Sequence, residues 1–126
     1  MNNLLLKNND KWPIIDFNAS TGVLKISGKS IPSDVHLVYD PIINWLKEYA
    51  GQPALTTVMT VHLIYYNTSS SKYVLDIFKI LDKINAAGHS VKVNWLCDTE
   101  DEDLKEEGEL YKSLVQVPFN VVSAVS

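Results

Sequence analysis

Arginine is absent from this chain of 126 residues; all 11 basic residues are lysines. Bidentate guanidinium clamps on phosphate or carboxylate are therefore excluded. A single cysteine, Cys97, rules out an intrachain disulfide. The three histidines, His36, His62 and His89, lack the close spacing of a zinc site, and no metal or other cofactor is expected. Apolar runs stay far below the roughly 18 residues that a membrane span requires. Residues 1–10 hold only Leu4-Leu5-Leu6 as an apolar stretch and no small-residue cleavage site, so they read as a loosely ordered tail rather than a secretory signal. No GxSxG, HExxH, P-loop or GxGxxG pattern occurs, so no enzyme class is indicated. The expectation is a cytoplasmic protein without catalytic activity.

What is present is an ordinary globular composition, with 46% apolar and 21% charged residues, long enough for a single domain over 1–126. The net charge of −4 is unevenly spread. Residues 98–109 (DTEDEDLKEEGE) hold eight of the 15 carboxylates and one lysine, a local −7 that leaves +3 for everything else. A negative total without a basic stripe speaks against nucleic acid as a partner.

Periodicity gives the elements. Trp12–Phe17 reads as a strand with Pro13 at its start, Asn18–Gly22 as a turn, and Val23–Ser27 as the alternating return strand. Gly28–Ser33 reads as a loop leading into a helical region, Asp34–Ala50. Asp40-Pro41 looks like the cap and first turn of its main helix, and Gly51 and Pro53 stop it. Thr56–Tyr66 is the most β-like stretch and reads as a central strand buried on both faces. Tyr73–Ala87 has helical spacing, His89–Leu96 alternates, a helix overlaps the second half of the acidic segment, and Pro118–Val122 suits a last short strand. The order β-β-α-β-α-β-α-β implies parallel crossovers after an antiparallel hairpin, hence an α/β fold with a mixed sheet. The expected core is Ile15, Val23, Leu24, Ile26, Trp45, Leu46, Val61, Leu63, Val74, Ile77, Phe78, Leu81, Val93 and Trp95.

The segment Asn67-Thr68-Ser69-Ser70-Ser71-Lys72 follows the predicted central strand and opens a helix. In open α/β sheets ligands gather at such strand ends, and a helix start offers free N–H groups and a positive dipole end. One cap needs one hydroxyl, and here there are four. The surplus suits anion binding or phosphorylation, besides plain capping. A phosphate carries about −1.5 to −2 charges at pH 7 and is tolerated at a helix start, so it changes the surface without unfolding the chain. The acidic 98–109 stretch reads as a solvated loop and helix start. It lacks the glycine and phasing of an EF-hand, and a docking role toward a basic partner stays open. Cys97 ends a strand with no histidine placed beside it, and reads as structural.

Four stretches resemble the SiaC-type regulatory phosphoproteins, which have a STAS-like fold related to anti-sigma-factor antagonists. They are Gly22 to Pro32 (GVLKISGKSIP); Tyr39-Asp40-Pro41 with Trp45, Leu46 and Tyr49; Tyr66 to Lys72 (YNTSSSK); and Val93-Asn94-Trp95 running into the acidic stretch, closed by Pro118-Phe119. The resemblance implies a single STAS-like domain and a non-enzymatic switch. It implies that a serine/threonine kinase phosphorylates Thr68, that a PP2C-type phosphatase removes the phosphate, and that the unphosphorylated form activates a diguanylate cyclase. The implied outcome is cyclic-di-GMP synthesis and biofilm growth or aggregation. Partner contacts are expected at Asn67, Thr68, Ser69, Ser70, Ser71 and Lys72, with loop 28–33 nearby. Classical antagonists carry Asp-Ser-Ser-Gly at this corner, and Asn67 in place of the acid argues against a sigma-factor role. A small-molecule or nucleotide sensor, or an antagonist of another signalling partner, is the competing reading.

Overall fold

Two runs of alternating apolar residues, Val23–Ser30 and Thr56–Tyr66, lie side by side as parallel strands, and the rest of the chain is built outward from them. The computed structural model describes residues 1–124. In chain order the elements are β1 (Leu4–Leu6), β2 (Ile14–Phe17), β3 (Val23–Ser30), α1 (Val35–Gly51), β4 (Thr56–Tyr66), α2 (Thr68–Ala86), β5 (Ser90–Asp98), α3 (Glu102–Leu114) and β6 (Phe119–Ala124). They form a mixed α/β single domain whose six strands stand in sequence order across the sheet. β1, β2 and β3 are joined antiparallel; β3 to β6 are parallel.

That monotonic order decides the layering. Right-handed crossovers that all step the same way deliver every helix to one face. Trp45 of α1 packs on Phe17, Phe78 of α2 meets the edge of Trp95, and Tyr111 of α3 tilts against the same Trp95. Register aligns the core in rows: Phe17, Leu24, Met59, Val93 and Phe119 form one, Ile15, Ile26, Val61 and Trp95 the next. The opposite face carries the row Asp16, Lys25, Thr60, Asn94 and Asn120 and has no described helix on it. Two expectations change as a result. β4 is interior, but it buries only Thr57, Met59, Val61 and Leu63, while Val58, Thr60 and His62 are half-buried. Val23 is exposed rather than core, because its register partner Val58 also faces outward.

Four local expectations are also corrected. Leu4–Leu6 is an edge strand and not a loose tail; it pairs with β2, and the Trp45 indole N–H donates to the Asn2 carbonyl (2.8 Å). A buried indole needs such an acceptor. α1 starts at the Asp34 cap, whose carboxylate accepts from His36 N (3.2 Å), and Pro41 lies inside the helix. Pro41 is exposed, so the carbonyl it leaves unpaired four residues back is on the solvent side. β3 extends through Ser30, into what reads as a loop from sequence. β2, read from sequence as starting at Trp12, starts at Ile14.

Candidate functional site

The corner where β4 meets α2 begins with a register slip. Gly28 pairs with Leu63, but Lys29 pairs with Tyr65, so Ile64 is an extra residue on β4. A bulge resets the in–out alternation. Ile64 and Tyr65 are exposed, and Tyr66 turns back to the helical face, edge-on to Trp95 with ring centroids 6.1 Å apart. Asn67 then caps α2. Its Oδ1 accepts from Ser70 N (3.0 Å) and from the Ser69 hydroxyl (3.1 Å), and its carbonyl accepts from Ser71 N (3.1 Å).

The four consecutive hydroxyls have distinct surroundings. Ser70 is fully buried. The Ser30 hydroxyl donates to Ser70 Oγ (2.9 Å), and Ser70 donates to the Ser30 carbonyl (3.1 Å). With that proton committed, the Tyr39 hydroxyl must be the donor to Ser30 Oγ (2.6 Å). All three protons are used, and the relay ties β3, α1 and α2 together. Ser71 Oγ donates back to the Thr68 carbonyl (2.7 Å). Thr68 and Ser69 are exposed, and among the described residues Thr68 alone of the four keeps its hydroxyl outside these bonds. Lys72 is exposed one turn further along. Ser70→Ala is expected to destabilise the fold by about 1–3 kcal/mol, because it strands the buried Ser30 proton. Thr68→Ala should stay within about 0.5 kcal/mol of wild type. Urea denaturation of both variants checks this, and equal losses would contradict it.

The acidic helix belongs to this corner, which the sequence reading missed. Asp101 caps α3 by accepting from Leu104 N (3.0 Å). The Tyr66 hydroxyl donates to the Glu107 carboxylate, and the Tyr111 hydroxyl donates to the Ser71 carbonyl (3.2 Å). Gly108 makes the approach possible: a Cβ there would lie 2.5 Å from Trp95 Cδ1. That glycine inside a helical pattern was the available signal. On the other side, Tyr73 stacks on Tyr39 and hydrogen-bonds to His36 and to Asp40 (3.2 Å), linking α2 to α1. The end of β3 joins through Ser30, whose carbonyl accepts from Asn67 N (3.1 Å).

Burial raises the pKa of Tyr39 above its ordinary value; burial and then the Glu107 hydrogen bond do so for Tyr66, and burial for Tyr111. The unfolded chain releases these protons near pH 10 and the folded chain holds them. Their contribution is therefore complete below that pH and declines as pH rises above it. The urea midpoint is expected to fall above about pH 10, and less steeply in Tyr66→Phe; a flat profile would contradict the assignment.

The other sequence candidates lie elsewhere. Cys97 is buried on β5, where burial raises the thiol pKa, with its Sγ 3.8 Å from the Val122 carbonyl. His62 lies on the helix-free side of β4, and its Nε2 is buried without a partner among the described residues. No group of three or more His, Cys, Asp or Glu converges as metal ligands would among the described residues. No helix there is long and apolar enough to cross a membrane.

The class of protein is a small single-domain α/β protein whose one-sided sheet carries a hydroxyl-rich helix start at the end of an interior strand. The chain belongs to the SiaC family of regulatory phosphoproteins, whose profile matches residues 6–124. It is 25% identical over 121 residues to an uncharacterized protein of Pseudomonas aeruginosa strain UCBPP-PA14, covering 96% of each. The crystal structure of apo-SiaC from Pseudomonas aeruginosa is 25% identical, with a TM-score of 0.87 over 98% of this chain and 100% of that one. A chain in the crystal structure of the diguanylate cyclase SiaD in complex with its activator SiaC, from the same organism, is 24% identical, with a TM-score of 0.90 over 96% of this chain and 99% of that one.

Proposed function

We propose that this protein is a phosphorylation-gated activator of a diguanylate cyclase. In its unphosphorylated form it binds the cyclase and promotes cyclic-di-GMP synthesis. A serine/threonine kinase phosphorylates Thr68, and a PP2C-type phosphatase reverses the reaction. The observation that carries the reading is the sorting of the four hydroxyls: Ser70 is locked in a buried relay, Ser71 bonds the backbone, Ser69 bonds the cap, and Thr68 is exposed and uncommitted. A kinase reaches Thr68 without opening the fold, and the helix dipole tolerates the charge. The relative crystallised as a cyclase's activator supports the choice of partner. The chain contributes a surface to this reaction and no catalytic group.

The test is the intact mass of the protein after incubation with ATP and each serine/threonine kinase of its own organism. One phosphate is expected on wild type and none on Thr68→Ala. A phosphate retained in Thr68→Ala would move the acceptor to another residue, and no phosphate on wild type would remove the switch.

A further inference from the structure

The groove between α1 and α2 is the surface feature that the corner itself leaves unused. Half-buried Ile43 and Ile80 form its floor, Lys47, Lys79 and Lys83 its rim, and Asp76 is its one carboxylate; its volume is about 300 Å³. Among the described residues none of these lysines has a carboxylate within 4.0 Å, and the one ion pair is His36–Asp40 at 3.9 Å. At 3.6 residues per turn, Thr68, Lys72, Asp76, Lys79 and Lys83 fall within about 80° of one another around α2. The basic stripe that the sequence reading did not find is therefore present in three dimensions, and Thr68 stands at its head.

We infer that this groove docks an acidic amphipathic segment of the protein partner, apolar side chains on Ile43 and Ile80 and carboxylates on the lysines. The inference rests on Thr68 being the switch and adds the chemistry of what it gates. An apolar floor does nothing for a nucleic acid backbone, whereas an amphipathic peptide matches both floor and rim. Uncompensated lysines around apolar surface favour an acidic partner and speed its encounter. A phosphate on Thr68 lies one turn from Lys72 but, at 1.5 Å per residue, about 16 Å from Lys79. Beyond a Debye length of about 8 Å it is screened. Phosphorylation thus weakens the Lys72 end of the stripe and leaves the far end to hold.

Two synthetic 18-residue peptides with the same leucine spacing, one carrying glutamate and one lysine at the polar positions, are titrated into the full ¹⁵N-labelled chain. The glutamate peptide is expected to shift amides of residues 43–47 and 72–83 and to bind at least tenfold more tightly than the lysine peptide. Its affinity should fall as salt rises. Lys47→Glu/Lys79→Glu/Lys83→Glu should reverse the preference while keeping a folded amide spectrum. Thr68→Asp should weaken binding only about threefold. No preference between the peptides, or shifts confined to other surfaces, overturns the inference. So does concentration-dependent self-association that the triple variant abolishes, since the groove would then hold α3 of a second copy. The same variants are then measured against the cyclase. Loss of binding in Thr68→Asp but not in the triple variant overturns the groove and leaves the switch standing; loss in the triple variant but not in Thr68→Asp overturns the switch.

Discussion

Trp95→Ala is expected to remove about 3–5 kcal/mol of unfolding free energy, a large share of the stability of a domain this size. Its ring is 1% exposed and holds α2 and α3 to the sheet at once, against Phe78, Tyr66 and Tyr111. Its indole N–H donates to the Leu104 carbonyl (2.9 Å). Truncation leaves a cavity and removes that hydrogen bond. The sharper part of the prediction concerns Gly108. Alanine there gains up to about 1 kcal/mol in helix propensity but must fit a Cβ against the indole, and overpacking costs about 1–3 kcal/mol. The clash wins while Trp95 is present, so Gly108→Ala destabilises the native protein. With Trp95→Ala the clash is gone, and the same substitution should stabilise. Urea denaturation of the four proteins measures the coupling. Additivity within about 0.5 kcal/mol would mean that the two residues do not meet.

Thr68→Asp is expected to weaken the cyclase complex by about 30-fold or more, while shifting the melting temperature by only a few degrees. A charge left unpaired in an interface costs about 2–5 kcal/mol. The same charge at the first turn of α2 is favoured by about 0.3–1 kcal/mol in the free protein. The two effects have opposite signs, which separates a gate from a damaged fold. Thr68→Ala should bind like wild type and resist the kinase. Surface plasmon resonance against the cyclase, with melting curves of the same samples, reads both. A complex that tolerates aspartate would show that Thr68 lies outside the interface.

Much of this architecture was legible in the amino-acid order. The run Thr56–Tyr66 has the β-branched density of an interior strand and is one; Ile77, Phe78 and Leu81 repeat at helical spacing and are buried. The hydroxyls after that strand announced a helix start, and Asn67 caps it. Misreadings came where distant groups decide a local question. Asp40-Pro41 has the chemistry of a helix start, but Asp34 offers an earlier cap and Pro41 faces solvent, where its missing donor costs least. Leu4–Leu6 is too short to read as a strand alone; it is one because β2 has a free edge and Trp45 needs an acceptor.

The corner shows the same division. Four hydroxyls in a row are visible as text, and nothing in the text ranks them. Ranking came from Ser30 and Tyr39, 40 and 31 positions before Ser70 in the chain, which take Ser70 out of reach. The acidic stretch read as solvated became a helix docked on the β4–α2 corner through Tyr66 and Tyr111. The lysines of α1 and α2 are scattered in sequence and form one stripe only once the helices lie side by side.

Sequence by itself determined the element order from β2 to β6, the mixed sheet with its parallel crossovers, the absence of arginine and disulfide, and the place where the chain concentrates its hydroxyls. These follow from local periodicity and composition, which need no partner. Tertiary structure alone decided which face the helices cover, which hydroxyl is exposed, and which charges stand together. Those depend on register, crossover direction and the satisfaction of buried donors, all of them relations between residues far apart in the chain.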